Sequence, residues 1–170
     1  MKKRCSWVNE KNKAYVKYHD EEWGSLVEDD NKLFEILSLE ISQSGLSFET
    51  IFNKRENYIE LFDEFSIDLV AKYDTLKVDK LMLNKGIVRH RKKIESIVKN
   101  AKVCLSIQKE FGSFKRYIYS FKQPKVLLKD LKKRGMVFIG EVTIKSFLEA
   151  IGVLNGHEKG CFKSVSNKVL

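Results

Sequence analysis

The stretch KKRGMVFIGEVTIKSFLEAIG, residues 132–152, decides the fold class because it predicts two helices joined by a tight hairpin. Gly135 can adopt the left-handed conformation that ends a helix, and Gly140 begins the next helix. Phe147 and Ile151 then lie four residues apart on one helical face. A hairpin of this kind can present the backbone N–H groups of a helix N-terminus to a DNA phosphate.

The hairpin pattern also has an alternative interpretation. The usual DNA-binding hairpin carries two glycines in the order G-x-G, and Phe138 occupies the first of these positions. Glu141 follows Gly140 and places an acidic side chain at the expected phosphate contact. On these residues alone, an ordinary helical hairpin inside a protein core is as good an interpretation as a DNA contact.

Helical periodicity continues through most of the chain, and strand patterns are few. One helix is predicted to begin at the N-cap residue Asp30, and the next begins at a second good N-cap, Ser47. The longest predicted helix spans about 89–111, with apolar residues facing inward and a lysine-rich face outward. The single proline, Pro124, marks a bend between helices. These patterns predict an all-α fold in one compact domain over residues 1–170.

The chain carries 32 lysine and arginine residues against 23 acidic residues, which gives a net charge of +9. This excess favours an anionic partner, for which nucleic acid is the first candidate. No run reaches the ~18 apolar residues of a membrane span, and the basic N-terminus lacks the apolar segment of a secretory signal. We therefore expect a cytoplasmic protein with no membrane partner, whose three cysteines do not form a disulfide framework.

A basic run begins the longest predicted helix, and it comprises Arg89, His90, Arg91, Lys92 and Lys93. The simpler interpretation is a solvated helix face. Cations in a first turn oppose the helix dipole, which favours a further role such as contact with phosphate groups. Both interpretations stay open on the sequence.

Aromatic residues concentrate near the N-terminus, at Trp7, Tyr15, Tyr18 and Trp23. Aromatic side chains at this density usually form a core, and they are also what a pocket needs to stack a nucleobase. Glu40 continues the apolar side of its predicted helix, next to Leu37 and Ile41. A carboxylate buried there would cost free energy unless it had a partner, so a role in a pocket competes with a position at the solvent edge.

The few histidines and cysteines allow a metal site. His157 and Cys161 lie four residues apart in a short glycine-containing stretch near the C-terminus. Cys5 and His19 could complete a Cys2His2 set, which suits tetrahedral zinc with all four positions filled by protein. Cys104 lies on an apolar helical face and is interpreted as a core residue. Because only His157 and Cys161 are close in sequence, spacing alone leaves a chain without metal as an alternative.

A closed metal site of this kind has a structural role, since it leaves no open position for a water molecule. It would join the N-terminal segment, about residues 1–25, to the C-terminal segment, about residues 153–165. Both segments would otherwise be expected to fray, as chain termini commonly do.

Six stretches occur together in the order that is typical of one family. They are RCSWV (4–8), YHDEEWG (18–24), KLFEILSLEISQSGLSF (32–48), GIVRHRKKIESIVKNA (86–101), KKRGMVFIG (132–140) and GHEKGC (156–161). In these stretches the chain resembles the DNA-3-methyladenine glycosylase I family, the zinc-containing branch of the helix–hairpin–helix DNA glycosylases. The resemblance implies a helix–hairpin–helix region at about 125–152.

The resemblance implies a monofunctional DNA glycosylase. Such an enzyme flips 3-methyladenine out of alkylated double-stranded DNA and hydrolyses its N-glycosidic bond, and we expect it to act as a monomer. Glu40 matches the family's base-binding carboxylate. The residues that match the aromatic base pocket are Trp7, Tyr15, Tyr18, Trp23 and Phe48, where Phe48 replaces a tryptophan of the family pattern.

The resemblance also implies the DNA contacts and the metal ligands. Gly45 and Leu46 match the tip that approaches the duplex where the damaged base has left, and Gly140 matches the backbone anchor of the hairpin. One structural Zn²⁺ is implied, with the ligands Cys5, His19, His157 and Cys161. Glu149, the acidic residue that follows the hairpin, is assigned no catalytic role.

Two rival functions come from other classes. The first is a module, closed by zinc, that binds alkylated DNA without cleaving it, and the replacements at Phe48 and Glu141 keep this alternative open. The second is a zinc hydrolase, which requires a metal-bound water and therefore an open coordination position.

Overall fold

The computed structural model describes residues 2–164, and every regular element in that range is a helix. The α-helices in chain order are α1 (Lys13–Lys17), α2 (Asp30–Gln43), α3 (Phe48–Phe52), α4 (Arg55–Leu61), α5 (Ile67–Val70), α6 (Thr75–Leu83), α7 (Arg91–Phe111), α8 (Phe114–Tyr119), α9 (Pro124–Lys133) and α10 (Glu141–Ala150). A π-helical turn (Tyr18–Glu22) follows α1, and a 3₁₀ turn (Asp63–Phe65) follows α4. The all-α prediction is confirmed. Residues 1 and 165–170, which belong to the predicted domain, lie outside the described range.

The main core forms where α2, α7 and α10 pack together. From α2 it contains Leu37 and Ile41, and from α10 it contains Phe147, all without solvent exposure. Burial of one such side chain contributes about 1.5–3 kcal/mol relative to leaving it in water. Cys104 of α7 is also fully buried, as predicted for a core residue. No helix within residues 2–164 combines the length and the apolar character needed to cross a bilayer.

The structure confirms one of the two predicted N-cap residues. The Ser47 hydroxyl accepts the N–H of Thr50 and caps α3, as predicted. The cap predicted at Asp30 is wrong, because the side chain of Asp29 accepts the N–H of Lys32. Asp30 is therefore the first residue of α2 and not its cap. The Asp30 carboxylate instead accepts the N–H groups of Phe114 and Lys115 at 2.8 Å each, so it caps the first turn of a different helix, α8.

The longest helix begins later than predicted. α7 starts at Arg91, and the His90 ring precedes it as N-cap by accepting the N–H of Lys93. Arg91 and Lys92 face solvent as expected for a basic helix face. The outward orientation predicted for Lys93 is wrong, because its side chain is buried against the C-terminal end of α2.

In the hairpin between α9 and α10, one residue other than glycine adopts the left-handed backbone conformation that favours glycine. Gly135 has a φ of +98° and lies just after α9, as predicted. Phe138 has a φ of +60°, a conformation that costs a residue with a Cβ about 1–2 kcal/mol. Its ring is 39% exposed, and its centroid lies 5.8 Å from that of His90.

Asn100 of α7 fixes this hairpin. Its side chain is fully buried, donates to the carbonyl of Val137 at 3.0 Å and accepts the N–H of Val137 at 2.9 Å. Both backbone groups of one hairpin residue are therefore satisfied by one amide. A buried backbone group without a partner would carry a desolvation penalty, so the conformation of the hairpin depends on this side chain.

The two ends of the described chain meet in a second, smaller apolar cluster. It contains Cys5, Val8 and Cys161, with Trp7, Val16, Trp23 and Phe162 packed against it. The N–H of Phe162 donates to the carbonyl of Lys3 at 2.8 Å, which ties the ends together through the backbone.

We expect Asn100→Leu to lower the free energy of unfolding by about 1–3 kcal/mol, because it leaves the N–H and C=O of Val137 without their partner. Chemical denaturation measures this change. Lys99→Ala is the control, since Lys99 lies beside Asn100 on the exposed face of α7. Equal unfolding free energies for Asn100→Leu and the control would contradict the role of Asn100.

Candidate active site and metal site

A cavity of about 380 Å³ opens between the N-terminal aromatic segment, the end of α2, the start of α3 and α10. Its size is in the range of small-molecule sites. Five residues predicted for a base pocket line it: Trp7, Tyr15, Trp23, Glu40 and Phe48. It is lined also by residues that the sequence analysis left out or gave no pocket role: Gln43, Ser47, Glu49, Ser146 and Glu149.

Tyr18 does not line this cavity. Its ring is buried behind the wall and stacks on two residues that do line it, Tyr15 at 6.2 Å and Phe48 at 5.5 Å between centroids. Arg55 lies on the far side of Tyr18, where its guanidinium is ion-paired with Glu22 and Glu35. Tyr18 therefore supports the aromatic wall from behind.

Glu40 carries the only carboxylate of α2 that lies in the cavity. Its residue is 6% exposed, and no hydrogen-bond donor within residues 2–164 reaches its carboxylate. Burial, reinforced by the negative charge of Glu149, raises the pKa of Glu40 to about 8. An unpartnered, desolvated carboxylate favours a ligand that brings hydrogen-bond donors or a positive charge.

Two further carboxyl groups share the cavity with Glu40. Glu49 of α3 accepts hydrogen bonds from the amides of Asn9 at 3.0 Å and Asn12 at 3.2 Å. Glu149 of α10 packs closely against Gly156, where an added Cβ would lie only 2.9 Å from its side chain. Nothing local in the sequence marks Glu49 and Glu149, because α3 and α10 reach Glu40 only through the tertiary fold.

The residues matched to DNA contacts lie outside the cavity. Gly45, with a φ of +82°, and Leu46, 41% exposed, form the turn between α2 and α3. This turn lies at the cavity rim, because Gln43 before it and Ser47 after it both line the cavity. Gly140 is the N-cap of α10, and an added Cβ there would meet no atom within 4 Å.

The four predicted metal ligands come together where the chain ends meet. Their donor atoms all lie within 4.8 Å of one another. The Nδ1 atom of His157 lies 3.6 Å from Sγ of Cys5 and 3.7 Å from Sγ of Cys161, and Nε2 of His19 lies 3.5 Å from Sγ of Cys161. Tetrahedral zinc bonds of about 2.3 Å to sulfur and about 2.0 Å to nitrogen place these atoms about 3.5 Å apart. The cluster therefore has the geometry to hold a metal ion.

The surroundings of the two histidines suit metal binding. Burial and the neighbours His19 and Lys163 lower the pKa of His157 to about 4, which keeps its ring in the neutral form that binds metals. The other ring nitrogen of His19, Nδ1, lies 2.8 Å from the carboxylate of Asp20. The hydrogen bond from Arg4 helps lower the pKa of Asp20 to about 2, so this carboxylate is ionised and orients the His19 ring.

The Cys2His2 cluster is in direct contact with the cavity wall. The His157 ring meets Trp23 edge-on at 4.6 Å between centroids, and the His19 ring meets Trp7 at 5.3 Å. Trp7 and Trp23 themselves lie 5.0 Å apart. Two of the candidate ligands thus support the two tryptophans that line the cavity.

We expect Glu40→Gln to unfold like the wild type near pH 4 and to be more stable than the wild type at pH 9, by on the order of a few kcal/mol. The folded pKa of about 8 exceeds the value of about 4.3 for an unfolded glutamate. Stability that is present at low pH is therefore lost as the pH rises from about 4.3 to about 8, and glutamine removes this loss. Chemical denaturation at both pH values measures it.

The exposed residue Glu60 offers the control, Glu60→Gln, which should follow the wild type at both pH values. A constant difference between Glu40→Gln and the wild type across this pH range would contradict a buried, titrating carboxyl group at residue 40.

Comparison with known proteins agrees in sequence and in fold. A family model described as methyladenine glycosylase matches residues 7–128 and 123–164. The DNA-3-methyladenine glycosylase of Haemophilus influenzae is 40% identical, over 95% of this chain and 97% of that protein.

Solved structures of 3-methyladenine DNA glycosylases are similar to this chain in fold as well as in sequence. A crystal structure of 3-methyladenine DNA glycosylase I (TAG) has a TM-score of 0.89 at 38% identity and covers 95% of this chain and 99% of its own. The Staphylococcus aureus TAG, from a structure described as the basis of 3-methyladenine recognition, has a TM-score of 0.87 at 36% identity and covers 93% and 94%. The predicted glycosylase architecture is thus confirmed. With this likeness over nearly its whole length, the chain belongs to the methyladenine glycosylase family.

Proposed function

We propose that the chain releases 3-methyladenine from alkylated double-stranded DNA by hydrolysing its N-glycosidic bond. The observation that carries the proposal is the unpartnered carboxylate of Glu40, buried in a cavity with aromatic walls. The relatives named for this activity match nearly the whole chain. We further propose that the protein acts as a monomer in the cytoplasm.

The charge of the damaged base explains why this cavity suits it. Methylation at the N3 atom leaves the adenine of the nucleotide cationic, which weakens its glycosidic bond. The cavity presents Glu40, Glu49 and Glu149 to the base, so a positive charge is favoured there over a neutral base. The cation would hold Glu40 in its ionised form, because an opposite charge lowers the pKa of a carboxyl group.

The base must leave the duplex to enter the cavity. Extrusion costs a few kcal/mol, and stacking of a base on an aromatic side chain offsets about 1–3 kcal/mol of this. We assign the stacking faces to Trp7, Tyr15, Trp23 and Phe48. Tyr18 has a supporting role, since it stacks on two wall residues without reaching the cavity.

In the proposed reaction, water adds to the C1′ atom of the sugar as the bond from C1′ to the base breaks. The bonding electron pair leaves with the base, which neutralises its positive charge, and the proton of the water passes to solvent. Glu40 stabilises the base and the positive charge that develops on the sugar. No lysine lines the cavity within residues 2–164, so no covalent link to the sugar is assigned and the DNA strand stays intact.

The DNA contacts in this proposal come from two elements, the turn between α2 and α3 and the start of α10. Leu46 and Gly45 would occupy the space that the extruded base leaves, because they form the exposed turn at the cavity rim. The N-terminus of α10 at Gly140 would bind a backbone phosphate through its N–H groups. The net charge of +9 favours the phosphate backbone generally.

Incubation with a duplex treated with a methylating agent, followed by chromatography of the released bases, tests the reaction. We expect free 3-methyladenine from the wild type, and single-turnover release slower by on the order of 100-fold for Glu40→Gln. Glu60→Gln should release base at the wild-type rate, because Glu60 is exposed on α4. A wild type that binds the duplex but releases no base would favour the binding module.

We also propose that the Cys2His2 cluster holds one structural Zn²⁺. The residues Cys5, His19, His157 and Cys161 provide two sulfur and two nitrogen donors at separations that suit tetrahedral zinc. When bound, zinc would supply cross-links between the chain ends and leave no coordination position for a reacting water. The two histidines would then keep Trp7 and Trp23 in place as walls of the cavity.

We expect Cys161→Ser to lose the zinc and to lower the melting temperature by at least ~5 °C, since the metal stabilises only the folded chain. Elemental analysis and thermal unfolding measure both effects. Cys104→Ala is the control, because Cys104 lies in the main core and should affect stability without affecting metal content. X-ray absorption that finds a bound water among the ligands would contradict the closed site and favour a zinc hydrolase.

A further inference from the structure

Lys93 in the first turn of α7 is a buried cation. The residue is 6% exposed, and its ammonium donates to the carbonyl of Ser42 at 3.0 Å and to that of Ser44 at 2.6 Å. No carboxylate within residues 2–164 forms an ion pair with it. Its charge is therefore met only by backbone carbonyl groups.

An arrangement of this kind costs free energy. Burial lowers the pKa of Lys93, because removal from water disfavours the charged form of the ammonium group. The role of the contact follows from the element to which the two carbonyl groups belong.

The two carbonyls belong to the C-terminal end of α2. Ser42 is in its last turn and Ser44 is its C-cap, where carbonyl groups lack the intrahelical donors of an uninterrupted helix. A cation is also favoured at a helix C-terminus by the helix dipole. Gly45 and Leu46 follow directly, so the ammonium of Lys93 fixes the base of the exposed turn at the cavity rim.

The N-terminal part of α7 also holds the hairpin. The His90 ring contacts the ring of Phe138, and Asn100 hydrogen-bonds both backbone groups of Val137. Lys93 lies between His90 and Asn100 on the same helix. One rigid element thus connects the turn at Leu46 with the hairpin that leads to Gly140.

We propose that Lys93 is a positioning residue that sets the turn Gly45–Leu46 relative to the hairpin when the duplex is bound. This inference rests on the proposed glycosylase function, in which the turn fills the space of the extruded base while the hairpin holds the backbone. A displacement of about 1 Å from productive geometry can slow a reaction on the order of 100-fold. Lys93 does not itself line the base cavity, so we expect its replacement to affect the reaction with DNA more than the binding of the free base.

The test compares DNA and free base in one variant. Lys93→Met keeps the length of the side chain and removes the donors. We expect single-turnover release of 3-methyladenine from duplex DNA to fall at least ~10-fold. The dissociation constant for free 3-methyladenine, measured by the fluorescence of Trp7 and Trp23 in the cavity wall, should change less than about twofold, because the cavity is intact.

Two further variants complete the design. Lys99→Met removes an exposed charge of the same helix outside the basic run and should leave release at near the wild-type rate, which separates positioning from general loss of positive charge. Lys93→Gln keeps an amide donor and should give an intermediate release rate; it also serves if Lys93→Met does not fold.

The outcomes are distinct. Release by the Lys93 variants at the wild-type rate, or an equal loss in release and in free-base affinity, would overturn the inference. A wild type that releases no base would instead overturn the proposed function, and this is read from the same experiment.

Discussion

A buried carboxylate without a hydrogen-bond donor is the constraint on which the site depends. Glu40 is 6% exposed and lines the cavity, and the described residues supply no hydrogen bond to its carboxylate. Most of its penalty comes from desolvation, and Glu149 adds to it. The folded protein thus retains an unfavourable interaction that a cationic base would relieve, which is how a ligand site differs from a well-satisfied core.

Two tryptophans of the cavity wall come from the N-terminal segment, where it packs against the C-terminal segment. Trp7 and Trp23 are not held by the main core but belong to the smaller apolar cluster around Cys5 and Cys161. A small cluster buries too little apolar surface to fix chain termini strongly, so a metal ion bound to its cysteines and histidines would add the missing stability. Binding of metal and shape of the cavity would then be linked, although the metal would take no part in the reaction.

Helix α7 holds the two loops that are proposed to contact DNA. Two of its buried polar side chains, Lys93 and Asn100, satisfy backbone groups at two separate loops, each of which has a positive φ at an exposed position. Loops of this kind have few apolar contacts of their own and would otherwise be mobile. Side-chain hydrogen bonds to their backbone give them a defined conformation at the free-energy cost of burying polar groups.

The sequence by itself determined the features that depend on near neighbours along the chain. The helical class, the cap at Ser47 and the left-handed Gly135 follow from interactions within about four residues, and the ligand chemistry of the two cysteines and two histidines is readable from residue type. Only the tertiary structure decided the rest. It brought Glu149 to Glu40, turned Lys93 inward and gave Asp30 to α8, because each depends on which distant elements pack together. A charged side chain in a local pattern is expected in solvent, and its burial is decided by partners that lie tens of residues away.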